Sequence, residues 1–290
     1  MTRPDQRTSA TAAAVAMVIV ATMFFQIGVV LAKRLFPLIG VTGTVSLRLA
    51  LAVPVLLAVW RPWRRRISAV ELPPILVYGI AMGCMNLCFY ESIRTIPLGV
   101  AVALEFTGPF AVAVAASRRR IDFLWIVVAA VALMVLLLSP HRHSAESLAS
   151  AGVLFALAAG FFWAIYIVYG RKVGHAQGGQ SVALGVAVAA AVVAPFGLYD
   201  AGSRLLSPGI WPTAAAMALV STVLPYSLEI LALARLPGRT FGVLMSLGPA
   251  LAALSGLVFL DEHLNGIQWL AIVGIVIASG GATASSAPHL

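Results

Sequence analysis

The chain has 290 residues, of which 61% are hydrophobic and only 10% charged, and its mean hydropathy is +1.00. These proportions exclude a soluble globular domain and point to a membrane protein. The net charge of +9 is compatible with nucleic-acid binding by size alone, but the arginines lie in short loops between apolar blocks, the arrangement that orients a protein in a bilayer.

A helix needs about 20 apolar residues to cross roughly 30 Å of hydrocarbon. Ten such stretches occur, at approximately 11–32, 41–60, 72–93, 97–117, 121–139, 149–170, 180–199, 211–234, 239–259 and 266–284. The apolar residues run in continuous blocks and do not alternate with polar ones, so the spans are expected to be helices and not barrel strands. Arg3 and Arg7 precede the first block as the charged start of a signal peptide would. That block is too long for an h-region and further spans follow it, so it is read as a retained first span.

With the N-terminus inside, thirteen basic residues fall on the cytoplasmic side: Arg3, Arg7, Arg61, Arg64, Arg65, Arg66, Arg118, Arg119, Arg120, Arg171, Lys172, Arg235 and Arg239. Five fall outside, namely Lys33, Arg34, Arg94, Arg142 and Arg204. The asymmetry assigns both termini to the cytoplasm.

In chain order, the first span carries Gln26 and the second carries Arg48, roughly 10 Å below the outer surface and within reach of it for a long side chain. Gly79 and Gly83 give the third span a small-xxx-small face, a pattern continued by Gly152, Gly160, Gly242, Gly256 and Gly274. The same span holds Asn86 and Tyr90, together with Cys84 and Cys88, which read as small apolar residues. Glu91 and Arg94 flank the next turn and read as a solvated pair. Trp60, Trp63, Trp125 and Trp211 sit near span ends, as interfacial anchors do.

The fourth span holds Glu105, about eight residues or roughly 12 Å from its outer end. A charge at mid-membrane costs about 2.5 to 3.5 kcal/mol, so Glu105 is expected to face the bundle interior or a wet cavity, to be paired, or to be protonated. Pro109 lies four residues on and removes one ladder hydrogen bond, which frees a carbonyl near position 105. Glutamate and kink together read as a polar notch in the wall of a central pathway. The alternative is a structural carboxyl that fixes helix register.

Trp163 and Tyr166 lie on the sixth span, and Tyr226 and Glu229 on the eighth. Glu229 is about five residues from the cytoplasmic end, so a functional role stands beside snorkelling or pairing with Arg235. Arg48 either holds a carboxylate or pairs with Glu105. All five histidines fall in loops or tails, which argues against a histidine proton relay or a metal centre. No phosphate loop, hydrolase elbow or zinc-ligand spacing occurs, so neither an enzyme nor a cofactor is expected.

The two halves repeat each other. Pro97 and Pro109 are separated by the same interval as Pro237 and Pro249, and Gly108-Pro109 recurs as Gly248-Pro249 at an offset of 140 residues. The same offset places Asn86 against Tyr226, while Trp125 and Trp269 open the fifth and tenth spans. Two five-span units, residues 1–140 and 141–290, are therefore expected. An odd number of spans inserts the second copy upside down, the inverted repeat of secondary transporters, whose substrate site lies at the repeat interface near the midplane.

The stretches "PLGVAVALEFTGPFAVAV" at 97, "SRRRIDFLWIV" at 117, "FFWAIYIVYGRK" at 161, "STVLPYSLEILALARLPGRTFGVLMSLGPALAALSG" at 221 and "QWLAI" at 268 resemble the drug/metabolite transporter superfamily with two EamA-type repeats. The similarity is greatest to the threonine and homoserine exporter group and covers nearly the whole chain. It implies a ten-helix exporter of the bacterial inner membrane that moves small amino acids outward, driven by the proton gradient or by the substrate gradient. Members of the family often carry a glutamate immediately before the proline of the second-half motif, where this chain has Gly248. Glu105 and Glu229 then remain as the intramembrane carboxylates.

Three readings follow. In the first, a small amino acid is exported, with Glu105 and Glu229 receiving its ammonium or a coupling proton and Arg48 or helix-end amides receiving its carboxylate. In the second, another metabolite or a hydrophobic drug is exported through an aromatic pocket containing Phe106, Trp163 and Tyr166. The third is a non-transporting scaffold or sensor, which the absence of any soluble relay domain disfavours.

Overall fold

The computed structural model describes residues 4–64, 67–116, 121–138, 146–177, 179–233, 235–236 and 238–285. Arg3, Arg65, Arg66, Arg118, Arg119, Arg120, Arg142, Pro237, His141, His143 and His289 lie outside the described residues, as do the side chains of Arg7, His175 and Arg239.

Among the described residues all the regular secondary structure is helical. In hydrocarbon every backbone N–H and C=O must be satisfied within the segment, and continuous apolar blocks do so as helices. Helix α1 (Pro4–Trp60) is bent at Gly40, whose φ of 72° and ψ of 173° divide it into arms 4–39 and 41–60. There follow α2 (Leu72–Ser92), α3 (Leu98–Glu105), α4 (Thr107–Ala116), α5 (Ile121–Leu138), α6 (Glu146–Gln177) and α7 (Gly179–Ala201). The remainder are α8 (Trp211–Ala218), α9 (Leu224–Leu233), α10 (Gly238–Met245), α11 (Gly248–Leu260) and α12 (Gly266–Ser285).

Eight of the resulting segments are long and apolar enough to cross a membrane, and Phe123–Leu138 is a shorter apolar helix. Counting the two arms of α1 separately gives the ten crossings expected from the sequence, and the chain is a multi-pass membrane protein. Two crossings are built from two helices each. α3 and α4 meet at Phe106, and α10 and α11 meet across Ser246 and Leu247. A π turn at Leu219–Val223 joins α8 to α9 immediately before Pro225, whose missing N–H would interrupt a regular ladder.

Packing runs mainly between the first and second halves of the chain. The 41–60 arm of α1 lies on α7, where Ser46 Oγ donates to the Val193 carbonyl at 3.0 Å and Gly43 faces Ala201. The 4–39 arm lies on the π turn and α9, with Gly28 against Ser221 and a small cluster formed by Ala14, Val18, Ala232 and Leu236. α2 packs on α6 and α7, α3 on α11, and α5 on α12. Gly79 and Gly83 bring α2 close to Val188 and Ala189 of α7, as their spacing predicts.

Candidate functional site

Arg48 is fully buried in the 41–60 arm. Its guanidinium lies over the Tyr90 ring, 4.7 Å from the centroid, and one terminal nitrogen, Nη2, donates to Asn86 Oδ1. Asn86 is held in turn by donating from Nδ2 to the Met82 carbonyl at 2.7 Å. Nε and Nη1 of Arg48 have no hydrogen-bond partner among the described residues. A guanidinium carries five N–H donors, so the buried side chain is only partly satisfied. Thr222 Oγ1 and Gln26 Oε1 are also buried without a hydrogen-bond partner among the described residues.

Glu105 is the last residue of α3 and is buried, and among the described residues its carboxyl has no ion-pair partner. Arg48 and Glu105 therefore do not pair with each other. Tyr90 is within electrostatic range of both. The break after Glu105 follows from Gly108 and Pro109. Proline at 109 leaves the Glu105 carbonyl without its helical donor, and the Thr107 hydroxyl donates to the Leu104 carbonyl at 2.7 Å. Gly160 of α6 packs directly on that Glu105 carbonyl, and a Cβ at Gly108 would collide with the Gly160 carbonyl. The polar notch expected beside Pro109 is thus closed on one side by α6.

Glu229 is half-buried near the middle of α9 and acts electrostatically on Tyr78, Tyr166 and Tyr226. Tyr78 stacks on Tyr166 with centroids 4.7 Å apart, and their hydroxyls are hydrogen-bonded at 3.2 Å. Tyr226 is also within electrostatic range of Arg48, which links the two groups of residues. The pairing of Glu229 with Arg235 left open by the sequence does not form: Arg235 is exposed and contacts Met17 Sδ at 3.3 Å. Glu91 and Arg94 do pair, at 3.6 Å.

Phe106 fills the gap between the two broken crossings. It meets Trp163 edge-on at 4.9 Å, and its ring edge lies against Gly248 at the start of α11, followed by Pro249. The structure thus gathers Arg48, Asn86, Tyr90 and Tyr226 at one centre. Next to the break after Glu105, Phe106 brings Trp163 and Gly248 together, and Glu229 lies within electrostatic range of Tyr166. Sequence reasoning missed Thr222. Its signal was Pro225 three residues on, since a proline inside a span obliges the preceding turn to rearrange.

The arrangement offers a buried cation with free donors and a buried carboxyl with free acceptors. It contains no nucleophile and base in contact among the described residues. A family model for the EamA-like transporter family matches residues 150–283. The Threonine/homoserine exporter RhtA of Escherichia coli (strain K12) is 48% identical over 269 residues, covering 93% of this chain and 90% of that protein.

The chain belongs to the EamA-like transporter family.

A second relative, the Threonine/homoserine exporter RhtA of Salmonella typhimurium (strain LT2), is 48% identical over 267 residues, covering 92% of this EamA-type chain and 90% of its own. One solved crystal structure superposes with a TM-score of 0.58 at 16% identity, covering 92% of this chain and 96% of its own, and shares the fold.

Proposed function

We propose that this EamA-type protein exports small amino acids of the threonine and homoserine kind across the bacterial inner membrane by alternating access. The observation that carries the reading is the pair of unsatisfied poles at the centre of the bundle. A zwitterion in a dry site needs a donor for its carboxylate and an acceptor for its ammonium. Arg48 Nε and Nη1 supply the first and the Glu105 carboxyl the second, with the Tyr90 ring under the guanidinium. Glu105, with Glu229, is also the group able to carry a coupling proton. The names of the relatives support the substrate class.

Residues 1–140 and 141–290 are taken as inverted repeats. In support, the two broken crossings are interrupted at Phe106 and at Ser246-Leu247, the interval at which Gly-Pro recurs, and the spans pack chiefly across the two halves. Both termini are placed in the cytoplasm by the distribution of arginine and lysine.

The test is counterflow in proteoliposomes with a panel of labelled amino acids. Labelled threonine or homoserine is expected to accumulate against an unlabelled internal pool, and Arg48→Lys, which keeps the charge but loses the planar fork, is expected to weaken uptake by about tenfold. Absence of counterflow for every amino acid in the panel discards the reading. The Phe106–Trp163 contact favours the second reading, export of a flat hydrophobic compound. That reading predicts raised drug tolerance in a sensitive bacterium and no amino-acid counterflow.

A further inference from the structure

Glu262 lies in the short connection between α11 and α12, and its carboxylate joins three elements. Oε1 is ion-paired with Lys33 Nζ, near the end of the 4–39 arm of α1. Oε2 accepts the backbone N–H of Leu98, the first residue of α3, at 2.7 Å. The side chains of Lys33 and Glu262 are 21% and 16% exposed, so the pair is sheltered from the screening that makes surface ion pairs weak. The Leu98 N–H has no acceptor within its own helix, and a negative charge at a helix N-terminus is favourable.

The connection is built to hold this carboxylate still. Asp261 adopts the left-handed conformation, φ 57° and ψ 33°, and the Glu262 N–H returns to the Gly256 carbonyl at 3.1 Å in a Schellman-type cap. On the far side Asn265 and Gln268 exchange reciprocal bonds at 2.9 and 2.8 Å that cap α12. A Cβ at Gly256 would fall on Glu262 Oε2, so the close approach requires glycine there.

The two ends of the bundle differ. At the Glu262 end Leu98 is buried, as are Leu35 and Ile39, which follow Lys33 on α1, and Ile93 and Ile96, which precede Leu98. At the other end Arg171 and Lys172 follow Phe161 and Phe162 much as Lys33 and Arg34 follow Phe24 and Phe25. There both basic residues are exposed, and Lys172 lies over the Tyr169 ring at 4.8 Å.

We infer that Glu262 is a positioning residue for transport: with Lys33 and the Leu98 N–H it latches the outward end of the bundle shut, and it releases when the substrate leaves. The inference rests on the alternating-access reading above. The latch is connected to the centre by α3, whose first residue it holds and whose last residue is Glu105. The helix between them is about 10 Å long, so release at Leu98 shifts the carboxyl that faces the substrate.

The test uses the full-length protein with Cys84→Ala and Cys88→Ala and a reporter, Thr222→Cys, at the buried centre. In right-side-out membrane vesicles without substrate, the rate of modification by a membrane-impermeant thiol reagent added outside is measured. Glu262→Gln and Lys33→Met are each expected to raise the rate by about tenfold, and the double variant is expected to be no faster than the faster single one, because both remove the same pair. Unchanged rates, or effects that multiply in the double variant, overturn the latch. If Glu262→Gln fails to reach the membrane, the pair Lys33→Cys with Glu262→Cys replaces it. Oxidative cross-linking should slow labelling at Thr222→Cys and reduction should restore it, while a cross-link that leaves the rate unchanged overturns the inference. Because no substrate is present, faster labelling together with failed counterflow would retain the latch and discard the amino-acid reading.

Discussion

The two broken crossings, α3–α4 and α10–α11, share a backbone and differ in chemistry. Each is interrupted just before a Gly-Pro pair, at Phe106 in one and at Ser246-Leu247 in the other. At the break the first presents Glu105, and the corresponding position in the second is Met245. Gly108 abuts backbone, the Gly160 carbonyl, whereas Gly248 abuts only the ring edge of Phe106. The difference separates two roles that a Gly-Pro motif combines. The proline sets where the helix breaks, while the residue before the break decides whether that break carries a carboxyl.

Substitutions in matched positions put this contrast to the test. The largest effect is expected at Gly108→Val, because the colliding atom is a main-chain carbonyl and α6 itself must move. A loss of about 3 kcal/mol, read as a lower thermal midpoint in detergent, is expected, and full stability would show that the α4–α6 contact is slack. Glu105→Gln comes next. Removing the carboxyl is expected to reduce counterflow by about tenfold or more, from the 1.5 to 3 kcal/mol of a hydrogen bond to a charged group, with folding unimpaired. Met245→Gln should change counterflow less than about twofold. Equal effects at the two positions would remove the distinction between the crossings.

Gly248→Ala should be mild. The Cβ would meet Phe106 Cε2 at 3.0 Å, a ring edge that can yield, so the cost is expected to stay below about 1 kcal/mol. Gly248→Glu should go further and displace Phe106 from Trp163, which a shift in tryptophan emission would report. The smallest effects are expected from Pro109→Ala and Pro249→Ala, each restoring one hydrogen-bond donor to its helix, and a midpoint change of a few degrees would measure it.

The ten crossings were legible in the sequence because hydrocarbon thickness fixes the length of an apolar block. The position of Glu105 was legible for a related reason, since a carboxylate beside Gly-Pro has few ways to be tolerated in a span. Arg48 was recognised as an intramembrane cation, but its partner was not. Asn86 is 38 positions away, and which of several polar side chains meets the guanidinium is decided by how α1 packs on α2. The Lys33–Glu262 pair, at a separation of 229 positions, was hidden for the opposite reason. Charges near span ends are usually solvated, and nothing in their local spacing reveals that a distant loop delivers an acid to them. The π turn at Leu219–Val223 had only Pro225 to announce it.

The bend at Gly40 joins two crossings with a single residue of irregular backbone. Lys33 stands seven positions before it and Arg48 eight positions after it. With one residue between the arms, a tilt of the first is expected to reach the guanidinium as a lever delivers force across its pivot.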